Sequence, residues 1–385
     1  MRLRSLDSVR GFAALLVVVY HFQHLAAFGQ NPSAWTVEAA TLPFYELLKP
    51  VYLHGWMAVD LFFVISGFVF FWIYHEAIHA RTIDASAFFV LRFTRLYPLH
   101  ILTLLLVIAL QGAYCAVMGQ FFVVPYNDAY HLWLNVAFLQ SWGLELGPSF
   151  NGPSWSISIE ILLYLIFFLF SLSRLSQSAA AVLGMVCLGL VAQLVSPIIG
   201  RGIAGFFAGG LAFYALAAVT RRPDARAIVI RAVAVAVVVW LAVLAATYLD
   251  AIDRVLSAVG RAQDSGLAGK AGSRIVLYGL FPLTVFALAA SETVLGRSWR
   301  AASVLGDISY ASYLMHFPLQ LALACLVAWG ALPETAITGA LGLIAFLAVL
   351  IPVSWLTYRY FELPMQRLGR RLLLGRRPRI AKAPS

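Results

Sequence analysis

The chain has 385 residues, of which 62% are hydrophobic and only 11% are charged, and its mean hydropathy is +0.86. A soluble globular domain cannot bury this much apolar surface, so the composition excludes that class and predicts an all-α polytopic integral membrane protein. The formal net charge is +10 at pH 7. In a membrane protein such an excess orients the helices, so we expect the lipid bilayer, and no nucleic acid, as a partner.

Apolar windows of about twenty residues predict about ten transmembrane helices. In chain order they lie at 9–29, 56–76, 97–118, 154–173, 178–197, 201–219, 229–249, 274–291, 307–329 and 337–360. A shorter and more polar stretch at 130–142 predicts an interfacial or re-entrant helix. The chain is thus interpreted as one membrane domain, 1–365, followed by a basic cytoplasmic tail, 366–385.

The basic residues are distributed unevenly between the predicted loops. With both termini in the cytoplasm, most of the 27 Lys and Arg residues lie on the inner side, and the long outer loop at 120–153 contains none. The positive-inside rule therefore predicts cytoplasmic termini. The basic tail then either lies on the anionic inner leaflet or is a solvated end.

Ionisable side chains inside the first spans are functional candidates because charge in hydrocarbon is costly. Arg10 and His21 are eleven residues apart, so a helix presents both on one face, about 16 Å apart along its axis. A functional pair and a hydrogen-bonded packing histidine remain open alternatives. In the second span, Asp60 is a candidate for a supporting role, and the small residues Ser66 and Gly67 indicate close contact between helices.

Three later motifs place polar groups on helical faces. Arg92 and Arg95 lie one turn apart and could bind a polyanion together, although spacing alone favours ordinary anchoring at the inner surface. Two further sets of polar residues are spaced so that each set lies on one face of a helix. Each face is either functional or a polar packing contact between helices. They are Ser156, Glu160 and Tyr164, and Ser309, Tyr313 and His316.

The cysteines do not suggest a metal site. Cys115, Cys187 and Cys325 lie in apolar runs without the paired spacing of a disulfide framework or a zinc site, so we expect no metal.

Ordered by predicted depth, the candidates form a polar path. Arginines lie at the inner face, His21 and His316 at mid-depth, and Glu160 and Asp60 toward the outer face. Such a path suits a phosphate-bearing donor that enters from the cytoplasm. It suits a proton-coupled carrier equally well, so the residues alone leave both open.

At these residues the sequence resembles the acyltransferase-3 family of bacterial membrane O-acyltransferases. The resemblance runs from the first predicted span to the last. It is carried by LDSVRGFAALLVVVYHF with its Arg-ten-His spacing, VDLFFVISGFV, RFTRLYPLH with its Arg-x-x-Arg motif, PSWSISIEILLY, GDISYASYLMHFPL and YRYFELPMQRL.

The resemblance implies a multi-pass enzyme of the bacterial inner membrane. It would move an acyl group, usually acetyl, from cytoplasmic acyl-CoA (acetyl-CoA) to a hydroxyl of an exopolysaccharide, a lipopolysaccharide or a lipo-oligosaccharide. An alternative acceptor is a small molecule such as a macrolide. A proton-coupled transporter is less favoured because the sequence shows no inverted repeat.

The resemblance also implies roles for individual residues. Arg92 and Arg95 would bind the phosphates of coenzyme A. His21 would act as general base on the acceptor hydroxyl or carry the acyl group briefly, and Arg10 would place the donor. Glu160 would orient the acceptor or share a proton. The oxyanion could be stabilised by Arg10, Tyr313 or His316, and supporting roles are open to Asp60, Ser156, Tyr313 and His316.

Some family members carry an additional extracytoplasmic domain after the membrane part. This sequence ends soon after its last predicted span. We therefore expect transfer to be completed in the membrane domain or by a partner protein of polysaccharide biosynthesis.

Overall fold

The computed structural model describes residues 3–251, 254, 265–298 and 302–374. Within these residues the protein is all-α, without a β-strand, as predicted. The α-helices of eight or more residues are α1 (Arg4–Tyr20), α2 (Tyr45–His54), α3 (Ala58–His79), α4 (Ala85–Met118), α5 (Ala129–Val136), α6 (Trp155–Leu172), α7 (Ala179–Ala192), α8 (Pro197–Val219), α9 (Ala225–Tyr248), α10 (Ser265–Ile275), α11 (Phe281–Val294), α12 (Ser309–Ala328), α13 (Ala340–Thr357) and α14 (Leu363–Leu374).

In the described part of the chain, nine helical segments are long and apolar enough to cross a membrane. Each corresponds to one of the predicted spans. The remaining predicted span, 178–197, is occupied by α7, whose fourteen residues extend about 21 Å and fall short of a hydrocarbon core of about 30 Å. A short connection joins α7 to α8, and the two helices pack closely side by side.

The helix α3 crosses the centre of the apolar core and packs most extensively against α8. Gly67 lies directly against the backbone of Phe206, and Gly209 lies against the backbone of Val64, so neither position has room for a Cβ atom. This confirms the prediction that Gly67 allows close helix contact. Ser66 contacts a different neighbour, because its hydroxyl lies 3.3 Å from the Glu160 carboxylate of α6.

The predicted non-spanning helix at 130–142 is confirmed as the short helix α5. The Asp128 side chain caps α5 by accepting a hydrogen bond of 2.9 Å from the backbone N–H of His131. Hydrogen bonds from the backbone and the imidazole of His131 lower the pKa of Asp128. The cap fixes where this loop turns into a helix.

The C-terminal part of the described chain folds back onto α4. A π-helical turn, Tyr358–Glu362, joins α13 to α14, and α14 packs along α4. The predicted basic tail begins within α14, and its residues 375–385 lie outside the described residues.

Candidate active site

A cavity lies where α1, α3, α4, α6 and α12 meet. Its walls contain six of the nine residues to which the family resemblance assigns a role. These six residues come from four separate sequence motifs. They are Arg10, Arg92, Arg95, Ser156, Glu160 and Tyr313. The fold therefore brings distant polar groups to one place inside the membrane domain.

Arg10 is held at the cavity wall by α12 and the turn that precedes it. Its Nε donates to Ser309 Oγ at 3.0 Å, and its Nη2 donates to the carbonyl of Gly306 at 2.7 Å. The same nitrogen lies 3.4 Å from the carboxylate of Asp7, one turn earlier in α1. The guanidinium thus links the beginning of α1 to the beginning of α12.

Arg92 and Arg95 both face the cavity from α4. The Arg92 guanidinium lies 5.1 Å from the ring centre of Phe70 and 4.9 Å from that of Tyr74, and it donates a hydrogen bond to the Tyr74 hydroxyl. The carboxylates that act electrostatically on Arg95 are Glu160 and Glu362. Ordinary anchoring at the membrane surface does not account for this placement.

Glu160 projects from α6 toward the arginines. Its carboxylate accepts hydrogen bonds from the hydroxyls of Ser66, at 3.3 Å, and of Tyr164. Ser156, Glu160 and Tyr164 all line the cavity, which confirms that they share one face of α6. Ser66 is therefore a cavity residue that hydrogen-bonds the acid.

Tyr313 of α12 also lines the cavity. Its hydroxyl donates to the carbonyl of Pro153 at 2.8 Å and lies 2.7 Å from Ser156 Oγ, which is then the donor to Tyr313. On its other side, the Tyr313 ring packs edge-on against the imidazole of His316, with centroids 5.9 Å apart. Tyr313 thus contacts both the cavity and a group of histidines.

His21 and His316 form the centre of that group. His21 Nδ1 lies 3.0 Å from His316 Nε2, and the two rings are stacked with an interplanar angle of 8°. His21 follows directly after the end of α1. Arg10 and His21 both contact α12, at Ser309 and His316, so the common face predicted from their spacing is confirmed.

A comparison with known protein families shows where the chain belongs. A family model described as "Acyltransferase domain", Acyl_transf_3, matches residues 3–359. The chain belongs to the acyltransferase-3 family. It is therefore a multi-pass membrane acyltransferase, as the motifs predicted.

Two relatives of this acyltransferase illustrate the similarity. Over 170 residues it is 31% identical to "Protein 2 in picA locus" of Rhizobium radiobacter. The aligned region covers 40% of this chain and 75% of the relative. Over 174 residues it is 32% identical to "Acyltransferase MdmB" of Streptomyces mycarofaciens. The aligned region covers 43% of this chain and 38% of the relative. No solved structure matches the chain significantly.

Two polar neighbours of the histidine pair were not predicted from the sequence. His24 Nδ1 lies 3.1 Å from Gln320 Oε1, and Gln320 Nε2 donates to the backbone carbonyl of His21 at 2.9 Å. The His24 ring also stacks on His21, with centroids 4.8 Å apart. The signal was present, because His24 follows His21 by three residues and Gln320 follows His316 by four, one helical turn in each case.

Asp60 does not reach the cavity. It is 1% exposed and forms a two-point ion pair with Arg201, with distances of 3.0 and 2.5 Å. The Arg201 guanidinium lies against the indole rings of Trp56 and Trp155. Arg201 lies near the beginning of α8, so the ion pair joins α3 to α8.

No cluster of three or more His, Cys, Asp or Glu side chains suited to a metal ion occurs in the described part of the chain. The positive groups at the cavity are guanidinium groups, which pair with carboxylates and phosphates.

Proposed function

We propose that this acyltransferase moves an acyl group, acetyl in the expected case, from cytoplasmic acyl-coenzyme A to a hydroxyl of a cell-surface or lipid-linked glycan. It would act in the inner membrane of a bacterium. One observation carries the proposal: the cavity that gathers Arg10, Arg92, Arg95 and Glu160 is also lined by Tyr313, whose ring contacts His316 of the histidine pair.

The arginines suit the donor substrate. Coenzyme A carries phosphate groups at one end and the reactive thioester at the other. Guanidinium groups bind phosphate oxygens through paired hydrogen bonds, and burial strengthens that attraction because the local dielectric is low. Arg92 and Arg95 would bind the phosphates, and the thioester would extend along the cavity toward Tyr313.

His21 suits the chemical step. A sugar hydroxyl is a weak nucleophile at neutral pH and needs a base. In the proposed step, His21 removes the hydroxyl proton while the hydroxyl oxygen attacks the thioester carbonyl. The carbon–sulfur bond then breaks, the new ester is released, and the proton passes from His21 to the coenzyme A thiolate.

The neighbours of His21 would fix its orientation. With Nδ1 engaged by His316, the remaining ring nitrogen, Nε2, is the one left for the acceptor hydroxyl. Gln320 holds the backbone of the same residue through the His21 carbonyl. Such contacts select one ring orientation, in the way that the third member of a catalytic triad orients its histidine.

The tetrahedral intermediate requires hydrogen-bond donors for its oxyanion. Arg10 contacts α12, the helix that carries His316, and Tyr313 belongs to it, and we assign both residues as candidate donors. Glu160 would orient the acceptor or share its proton.

The test uses inverted membrane vesicles with acetyl-labelled acetyl-coenzyme A. Host glycan, lipid and small-molecule fractions serve as acceptors, and wild type is compared with His21→Ala at equal protein level. His54, an exposed histidine outside the site, provides the matched control His54→Ala. We expect wild type and His54→Ala to form a hydroxylamine-sensitive glycan ester, and His21→Ala to be slower by roughly 10²- to 10⁴-fold.

Three results would contradict parts of the proposal. Equal labelling by His21→Ala would remove His21 from the chemistry. Label confined to the small-molecule fraction would replace the glycan acceptor. Wild type that neither transfers label nor releases coenzyme A, with several acyl donors offered, would exclude acyl-coenzyme A as the donor.

A further inference from the structure

The helix α14 brings another arginine to the arginine pair of α4. Gly369 packs on Thr94, which lies between Arg92 and Arg95 in the sequence, so closely that a Cβ atom on Gly369 would lie 2.7 Å from the Thr94 methyl group. Arg370 is the next residue. Its electrostatic neighbours include both Arg92 and Arg95.

Two guanidinium nitrogens of this arginine cluster have no hydrogen-bond acceptor among the described residues. The Nε atoms of Arg92 and Arg370 are both buried, and neither has a hydrogen-bond partner among the described residues. Within the same residues, no carboxylate forms an ion pair with Arg92, Arg95 or Arg370. Buried, unpaired charges of one sign are unfavourable unless a ligand of opposite sign completes the site.

We propose that Arg370 is a third phosphate-binding arginine of the donor site, acting with Arg92 and Arg95 on a phosphate group of acyl-coenzyme A. The inference rests on the proposed donor. A phosphate supplies several acceptor oxygens and more than one negative charge, so it satisfies guanidinium groups that approach from two helices at once. Donor binding would then also tie α14 to α4.

The neighbouring basic residues of α14 provide the contrast. Arg367 and Arg371 are exposed, whereas Arg370 is half-buried and its Nε atom is fully buried. A helix that used its arginines only to contact anionic lipid would expose all three. Arg370 instead points to the cluster, and Arg371 is a control of the same residue type on the same helix.

The test measures binding of coenzyme A to purified protein in phosphatidylcholine nanodiscs by titration calorimetry. We expect Arg370→Gln and Arg92→Gln to raise the Kd for coenzyme A by roughly 10- to 100-fold, the usual loss for one charged hydrogen-bonding group. Arg371→Gln should bind as wild type does. In transfer assays the KM for S-acetylpantetheine, a donor without phosphate, should be the same for Arg370→Gln and wild type.

The outcomes separate this inference from the proposed function. Binding of coenzyme A that is normal in Arg370→Gln but weak in Arg92→Gln would overturn the role of Arg370 and leave the donor proposal intact. An equal loss with S-acetylpantetheine would show a structural role and overturn it as well. A defect seen only when phosphatidylglycerol is added to the nanodiscs would identify a lipid headgroup as the ligand. Wild type that binds no coenzyme A would refute the donor proposal itself.

Discussion

Asp60 and Glu160 are both carboxylates inside membrane-spanning helices, but their partners differ. Asp60 is enclosed in an ion pair with Arg201, whereas Glu160 faces a cavity and accepts hydrogen bonds from two hydroxyls. The first arrangement fixes two helices relative to each other. The second leaves a carboxylate facing a cavity that is also lined by arginines.

The Asp60–Arg201 pair leads to a stability prediction. Arg201→Gln leaves the buried Asp60 without its cation, and breaking a buried pair in this way typically costs about 3–5 kcal/mol. We expect a lower melting temperature in detergent, measured by the protein's intrinsic fluorescence.

The control for this prediction is the exposed pair Arg222–Asp224, with a separation of 2.8 Å. Because solvent screens such pairs, Arg222→Gln should leave the melting temperature unchanged within about one degree. An equal effect of both substitutions would contradict the argument from burial.

For individual residues, helical spacing in the sequence predicted part of the candidate site. Ser156, Glu160 and Tyr164 line one cavity as their spacing required. Spacing did not predict that Ser66 hydrogen-bonds Glu160, or that Asp60 pairs with Arg201. Residues 141 positions apart become neighbours only through the packing of α3 on α8.

At the scale of the helix, close packing of α3 and α8 depends on glycine. Gly67 and Gly209 allow the two backbones to touch, which would be impossible with any side chain at those positions. Because α3 carries Ser66 and part of the cavity wall, this contact also places the site.

We therefore expect Gly67→Ala to destabilise the protein, because its methyl group would overlap the backbone of Phe206. Overpacking of this kind costs roughly 1–3 kcal/mol or more. The folded fraction that remains after heating, measured by size-exclusion chromatography of the solubilised protein, should fall.

Gly184 in α7 is the matched control, since nothing lies within 4 Å of the position of its Cβ. Gly184→Ala should be neutral or slightly stabilising because alanine favours helix. A Gly67→Ala protein as stable as Gly184→Ala would show that the contact between α3 and α8 is looser than described.

At the scale of the whole molecule, the side of the membrane reached by each loop depends on whether α7 crosses the bilayer. The positive-inside rule predicts that Ala129 lies outside and Arg222 lies inside. The segments between these residues are α6, α7 and α8, so opposite sides require all three to cross.

The topology is tested with single cysteines at Ala129 and Arg222, after replacement of the three native cysteines, which are all free. A membrane-impermeant maleimide should label Ala129→Cys in intact cells and Arg222→Cys only after permeabilisation. Labelling of both from outside would mean that α7 does not cross. The reverse pattern would invert the predicted orientation.

The sequence by itself determined the all-α membrane fold, the positions of its spans, the family and six of the residues that line the cavity. It could do so because hydrocarbon requires long apolar helices and makes each intramembrane polar group stand out. The tertiary structure decided which of these groups meet. It separated Asp60 from the site, joined His21 to His316 and brought Arg370 to Arg92 and Arg95. Helical periodicity fixes the face of a side chain, but only packing between helices fixes its neighbours.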